Sequence, residues 1–369
     1  MGQSRVFFAD MRASIQENLP DKLQRLLGHL DLEEVVTPRS LVAVKLHFGE
    51  KGNTAFIRPV LIRRIVEVLK GLGGRPYLTD TNTLYTGARG DSVSHLVTAV
   101  ENGFAYSVVG APLIIADGMR GGTFSEVEIN QEIFGTAYIA REIVESDALV
   151  SVAHFKGHEL SGFGGTIKNL CMGCASRRGK MALHADLSPK VKRKKCIGCG
   201  ECVEHCAQSA IALEEGKARI DQDRCVGCGE CIQICPSEAI AIRWNADASR
   251  FQKKMAEYAL AVLQGKEDRA VFVNVLTQIS PACDCHGYND APIVQDLGFL
   301  ASRDPVAIDQ ASMDLVNAQA GLEHSCLTGG KAPGEDKFRA VHPQIDWTIQ
   351  LEHAEALGLG SREYDLITI

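Results

Sequence analysis

The sequence predicts an α/β fold, a mainly parallel-sheet domain carrying a small inserted α+β unit. Three observations lead there. Apolar strand-like runs alternate with helix-length amphipathic segments, the pattern of a largely parallel sheet. The alternation lapses over residues 190–245 and then resumes. That gap holds eight of the thirteen cysteines in the chain.

Each element has its own signal. Residues 41–46, Leu-Val-Ala-Val-Lys-Leu, read as a buried strand. Pro59 opens a helix with Leu61, Ile65, Val68, Leu69 and Leu72 on one face, ended by Gly73 and Gly74. Residues 76–79 form a second strand. Asp91 caps a helix that runs through Val93, Val97 and Val100 to Gly103. Residues 112–116 and 148–153 are the third and fourth strands. After the gap, Ser249 precedes a helix running to Gln264, and residues 271–276 form another strand. Asp304-Pro305 is an N-cap and first-turn signature for a helix through Met313 and Val316. The expected organisation is one discontinuous α/β domain, residues 1–189 and 246–369, with residues 190–245 inserted.

Inside the insertion, Cys196, Cys199, Cys202 and Cys206 form C-x2-C-x2-C-x3-C. Cys225, Cys228, Cys231 and Cys235 repeat the pattern 29 residues later. This is bacterial ferredoxin spacing, in which the fourth cysteine of each run ligates the other run's cluster. Two residues between cysteines let three thiolates turn around one corner of a cubane. Gly198, Gly200, Gly227 and Gly229 permit the tight turns this needs. Zinc knuckles also use C-x2-C, but as separated pairs rather than triplets plus one. The expected ligand sets are Cys196, Cys199, Cys202 and Cys235 for one 4Fe-4S cluster, and Cys225, Cys228, Cys231 and Cys206 for a second. Ala207 stands where a proline commonly follows the fourth cysteine. Residues 210–213 and 239–242 match short strands of such a ferredoxin-like two-cluster unit. A unit this small draws much of its folding free energy from its clusters.

Composition narrows the rest. The chain is 45% hydrophobic and 23% charged, with a net charge of -7, which argues against a general nucleic-acid binder. No apolar run reaches the ~18 residues of a membrane span. Many cysteines without an apolar signal core at the N-terminus point to a reducing cytoplasm. Exposed clusters point further to an anaerobic host. Lys190, Lys192, Arg193, Lys194 and Lys195 read as a solvated entry linker or, alternatively, as a docking point for an acidic redox partner protein.

Residues 154–184 are the densest polar stretch, and they follow a strand directly. Open α/β sheets collect ligands beyond the carboxyl ends of their strands. Gly162, Gly164 and Gly165 offer backbone N–H groups to an anion, and Lys156, Lys168, Arg177, Arg178 and Lys180 add positive charge. The stretch is neither a Walker loop nor a G-x-G-x-x-G fingerprint. Gly164, Gly165, Asn169 and Lys180 are candidate contacts to a small anionic ligand or cofactor. His47, His154 and His158, beside Lys168, are candidate acid–base groups or ligands. Cys174 with Cys283 and Cys285 offers a possible third metal site, the plainer alternative being buried, redox-silent thiols.

At these residues the chain closely resembles the DUF362 family of iron–sulfur centre proteins. The resemblance rests on Lys45-Leu-His47-Phe-Gly-Glu50, Asp80-Thr-Asn-Thr-Leu-Tyr85, Gly165-Thr-Ile-Lys168-Asn169 and Met172-Gly-Cys174-Ala-Ser. Gly179-Lys180, Cys283-Asp-Cys285, Pro292-Ile-Val-Gln-Asp296 and Asp304-Pro-Val-Ala-Ile-Asp309 complete it. It covers nearly the whole chain, the inserted unit included, and implies no particular reaction. A more distant similarity is to the amino-terminal domain of nickel-dependent lactate racemase-like proteins.

Three functions fit these readings. One is an iron–sulfur oxidoreductase, with electrons delivered to a substrate or cofactor in the α/β domain. Another is an electron carrier or adaptor whose α/β domain recognises partner proteins. The third is a metal- or cofactor-maturation protein using Cys174, Cys283 and Cys285 transiently. A non-iron–sulfur chromophore, a co-purifying partner and a third metal would favour them in that order.

Overall fold

The computed structural model describes residues 3–84, 87–184, 189–206, 208–225, 231, 234–237, 239–241 and 244–369. Its centre is an eight-stranded sheet. The strands are β1 (Ser4–Asp10), β2 (Leu41–Lys45), β3 (Arg75–Asp80), β4 (Leu113–Ile115), β5 (Ala148–His154), β6 (Ala270–Leu276), β7 (Gly298–Ser302) and β8 (Tyr364–Thr368). Their order in space is β8-β1-β7-β6-β5-β2-β3-β4. Seven run parallel, and β7 is antiparallel to its neighbours β1 and β6. The α/β class expected from the sequence is the class observed. The sheet takes β1 to β5 from before residue 190 and β6 to β8 from after residue 245.

Helices cover both faces. Alternation along the strands decides which side chains meet them. Val42 and Val44 of β2, with Val150 and Val152 of β5, face α1 (Leu19–Leu27) and α2 (Pro59–Gly71). From α2, Leu61, Ile62, Ile65, Val66 and Leu69 are buried there, a 3.6-residue stripe. Each such leucine or isoleucine contributes about 1.5–3 kcal/mol by leaving water. On the other face, Ala43, Leu149 and Phe272 pack with α4 (Thr166–Cys174), α6 (Trp244–Leu263), α7 (Pro305–Asn317) and α8 (Thr348–Ala356).

Two caps fall where the sequence places them. Asp91 Oδ1 accepts from the Val93 and Ser94 N–H groups at 3.0 Å, opening α3 (Ser92–Glu101). Asp304 Oδ1 accepts from the Val306 and Ala307 N–H groups at 2.8 Å, opening α7. The buried side of α3 is His95, Thr98 and Ala99, and Val93, Val97 and Val100 face outward. Helix α6 starts at Trp244, ahead of the expected Ser249 and inside the expected insertion. Ser249 has a cap's chemistry but sits within the helix.

Between α5 (Arg177–His184) and α6 lie two small antiparallel pairs. Residues 190–191 pair with 240–241, and residues 211–214 with 217–220. Ile211, Ala218, Ala239 and Ile240 pack with Cys196, Cys202 and Cys231 in a separate apolar cluster. Among the described residues, no helix is long and apolar enough to cross a membrane.

The topology locates a crevice. From β2 the chain winds outward through β3 to β4, then returns to lay β5 on the other side of β2 and winds outward again to β6. The winding direction therefore reverses between β2 and β5, and the ends of these strands frame the natural ligand crevice of an open parallel sheet.

Candidate functional site

A cavity of ≈ 140 Å³ opens at that reversal. Lys45 and His47 enter it from the end of β2, Asp80 from β3 and His154 from β5. Lys168 and Asn169 come from α4, Lys180 and His184 from α5, and Phe251 from α6. Cys283 and Cys285 close one side, next to Lys156, His158 and Glu159. The structure thus gathers His47, His154, His158, Lys168, Asn169, Lys180, Gly165, Cys283 and Cys285 around one space.

The wall is built from paired charges. Lys45 Nζ donates to Asn169 Oδ1 at 2.9 Å and lies 3.0 Å from Asp80 Oδ1. Asp80 Oδ2 also lies 3.2 Å from Arg89, whose Nε meets Glu50 Oε2 at 3.1 Å. Burial alone would raise the Asp80 pKa, but Lys45 and then His95 outweigh it and hold the carboxyl well below its usual value. Asn169 completes the lattice by donating to Ser151 Oγ at 2.8 Å and to the Lys45 carbonyl at 3.1 Å. Five lysine and arginine side chains face the cavity, namely Lys45, Arg89, Lys156, Lys168 and Lys180, against the two carboxylates Asp80 and Glu159. The compensating Glu50 and Asp284 sit behind them.

The three histidines differ. His154 Nδ1 lies 2.9 Å from both oxygens of Asp284, and Nε2 lies 2.8 Å from the Thr277 carbonyl. Burial would raise the Asp284 pKa, yet His154 and Lys156 hold it well below the carboxylate range. An ionised carboxylate and a carbonyl oxygen only accept, so each ring nitrogen of His154 already faces an acceptor. His154 is therefore spent on structure, and the acid–base or ligand role expected for it has no free nitrogen. His47 Nδ1 accepts from the Gly49 N–H at 3.0 Å, which leaves Nε2 as a donor. Burial, then Arg89, pushes its pKa well below the usual imidazole value. His158 Nδ1 receives the Leu160 N–H at 3.2 Å and stands 3.0 Å from Ser161 Oγ. Burial lowers its pKa to about 4.

Lys168 and Cys283 form the most unusual contact. Lys168 Nζ donates to Cys283 Sγ at 3.2 Å, and the Cys285 N–H approaches the same sulfur at 3.5 Å. A hydrogen bond from Cys285 outweighs burial and, with Lys168, holds Cys283 well below the usual thiol pKa. The same hydrogen bond, with burial, holds Cys285 well above it. Burial works against the Lys168 charge, but the two sulfurs more than restore it. Lys180 donates to Thr81 Oγ1 and the Ala175 carbonyl, and burial lowers its pKa to about 8 despite Asp117 and Asp80.

Other expected contacts are placed differently. The N–H groups of Thr166 and Ile167, which open α4, donate to Asp309 at 2.7 and 2.9 Å. The helix end expected to hold an anion is thus filled by the protein's own carboxylate, and a Cβ on Gly165 would lie 2.3 Å from Asp309 Oδ1. Gly164 is absent from the cavity wall. Arg177 donates to the carbonyls of Thr83 and Gly90, and Arg178 stacks on Tyr138 at 3.9 Å. Cys174 lies at the far end of α4, off the cavity wall, and burial pushes its pKa up to about 12. Among the described residues, no group of three or more histidine, cysteine or acidic side chains closes around a single ion.

A second, smaller cavity lies in the cysteine unit. Cys196, Cys199, Cys202 and Cys235 line it together. Backbone N–H groups point at their sulfurs, Ala218 to Cys196 at 3.4 Å and Ala239 to Cys235 at 3.2 Å. Cys206 receives the Ala210 N–H at 3.2 Å. Such bonds suit thiolates bound to a cluster. Cys228, with Gly227, Gly229 and Ala207, lies outside the described residues.

The model of a family described as a domain of unknown function, DUF362, matches residues 42–314, from β2 into α7. The chain belongs to the DUF362 family. Among solved structures, it is similar to the lactate racemase apoprotein from Thermoanaerobacterium thermosaccharolyticum, with 14% identity and a TM-score of 0.36. That likeness covers 74% of this chain and 51% of the other, so the chain spans about half of that protein's length. No curated protein matches the chain.

In this DUF362 protein, Lys45, Asp80, Arg89, Glu159 and Asp284 are among the site residues sequence reasoning did not assign. Lys45 and Asp80 carry the one available signal, a charge ending an otherwise apolar strand. Gly157 shows how the two halves of the wall meet. Its N–H donates to the Ser280 carbonyl at 2.8 Å, and a Cβ there would lie 2.0 Å from the Pro281 carbonyl oxygen. Gly157→Ala is expected to destabilise the fold by about 1–3 kcal/mol through overpacking, read by urea unfolding. Unchanged stability would mean that the segment before Cys283 shifts freely.

Proposed function

We propose that this protein is an iron–sulfur oxidoreductase that moves electrons into the strand-end cavity. Cys196, Cys199, Cys202 and Cys235 would hold one 4Fe-4S cluster, and Cys225, Cys228, Cys231 and Cys206 the other. The observation that carries the reading is the cavity shared by three cysteines of the first run and Cys235 of the second. When bound, such clusters supply one-electron transfers at low potential.

The chain's own residues supply the rest. Cationic side chains in front and carboxylates behind favour a small anionic ligand. His47 and His158 keep neutral imidazoles near it, and Lys180 is a lysine able to lose its proton near neutral pH. The two helices that flank the cysteine unit both reach the cavity wall, α5 through His184 and α6 through Phe251. A cytoplasmic, anaerobic setting and a redox partner protein docking on the basic segment after Pro189 belong to the same reading.

Anaerobic purification followed by metal and sulfide analysis tests it. The expected result is about eight iron and about eight sulfide per chain. Zinc in their place, or about four iron, would overturn the two-cluster reading. Full clusters with no small molecule retained or turned over would favour the carrier.

A further inference from the structure

We propose that Cys283 and Cys285 form a thiol–disulfide couple that reduces a small, carboxylate-bearing disulfide in the strand-end cavity. The proposal names the substrate class for the oxidoreductase reading and rests on that reading only for its electron supply. Four observations carry it.

Two sulfurs, one residue apart, line the same cavity. A turn brings them together, closed by the His286 N–H on the Cys283 carbonyl at 3.2 Å. Lys168 Nζ, at 3.2 Å, gives the Cys283 sulfur a fixed cationic partner. Such a neighbour favours the thiolate, the form that attacks disulfides. Finally, the cations facing the cavity would seat the carboxylates of a substrate beside that sulfur. The same residues fit a metal poorly, because no third donor joins them among the described residues.

The chemistry balances. The Cys283 thiolate attacks one sulfur of the substrate disulfide, a new S–S bond forms and the first thiolate leaves. Cys285 gives its proton to that leaving group and attacks Cys283 Sγ, which releases the second thiolate. One thiolate and one thiol of substrate emerge, and Cys283 and Cys285 are joined. Reopening their bond takes two electrons and one proton, from an external dithiol or from two one-electron donors. The Lys168 contact orders the roles, with Cys283 as nucleophile and Cys285 as resolving thiol.

The test uses the full chain purified anaerobically, with iron content measured alongside. Trypsin cuts after Arg269 and Arg303, and the peptide 270–303 carries Cys283 and Cys285 and no other cysteine. Dithiodipropionate is the anionic probe, and cystamine is a cationic disulfide of similar length. With the unaltered protein, dithiodipropionate should produce an intramolecular disulfide in this peptide, reopened by dithiothreitol. Cys285→Ser should instead trap one mixed disulfide on Cys283. Lys168→Met should slow trapping at least about tenfold, and cystamine should react at least about tenfold more slowly than dithiodipropionate. An unmodified peptide while exposed Cys326 reacts would overturn the proposal. Equal rates for the two probes, or no effect of Lys168→Met, would overturn the part given to the cations. Dithiothreitol can replace the clusters as reductant here. Failure of exchange in iron-replete protein therefore counts against the couple, and missing iron with intact exchange counts against the clusters.

Discussion

With the proposed pair of clusters, Cys235→Ser is expected to strip about four of about eight irons from the protein, and the loss should come from the cluster of the first cysteine run. Cys235 stands 33 residues after Cys202. In the fold it lines a cavity with Cys196, Cys199 and Cys202, and its sulfur receives the Ala239 N–H there. A hydroxyl is a poor substitute for a thiolate on iron, so the cubane loses one of four anchors. The discriminating measurement is a pair of variants. Cys202→Ser should lose the same cluster, and the double variant should lose no more iron than either single one. If the double variant loses twice as much, the two cysteines serve different clusters and the crossed arrangement is wrong. Because clusters supply folding free energy to a unit this small, proteolysis within residues 190–241 should rise in step with iron loss.

Asp284→Asn is expected to cost about 3–5 kcal/mol, because it strands Lys156 as a buried cation and takes the carboxylate from His154. Asp284 is fully buried, 2.9 Å from His154 Nδ1 and 3.2 Å from Lys156 Nζ. Its pKa is depressed in the folded chain, so its ionised form is favoured by folding. That stabilisation is fully present above the ordinary carboxylate pKa of about 4 and drains away as pH falls through it toward the depressed value. Urea unfolding between about pH 3 and 7 should show a shallower acid slope in the variant than in the unaltered protein. Equal slopes would mean that another carboxylate balances His154. Iron content should hold, since Asp284 pairs with His154 and Lys156 and, among the described residues, with none of the proposed cluster cysteines.

The sequence made some of this legible and hid the rest for physical reasons. Strands β2, β5 and β6 are mostly apolar runs and β3 a shorter one around Tyr77 and Leu78, and Asp91, Asp304 and Pro59 mark helix starts by chemistry that acts within four residues. Strands β1, β7 and β8 went unrecognised. Residues 364–368 are a short run that includes Asp365 and lie at the sheet edge, and the pairing of β1 with β7 joins residues some 290 positions apart. No local signal announces such a contact. At the site, strand-end histidines and Lys168 were readable because winding order fixes where strand ends gather. Which histidine keeps a free nitrogen depends on Asp284 and Thr277, more than 120 residues from His154. The filling of the α4 end by Asp309 was hidden in the same way, since a glycine-rich turn looks alike whether it meets a ligand or a neighbouring carboxylate.

The place of β1 has a consequence for how the chain is made. It carries Val6, Phe7 and Phe8 and leaves the ribosome before the other strands of the sheet, yet its sheet neighbours are β7 and β8. Synthesis at about 5–20 residues per second separates β1 from β7 by roughly 15–60 s. Throughout that interval the nascent chain displays an apolar strand with both edges open, the kind of segment that chaperones bind and that pairs wrongly with other chains. The parallel half of the sheet, β2 to β5, is complete long before. Cotranslational assembly therefore starts in the middle of the sheet and closes last at the seam where β1 meets β7 and β8.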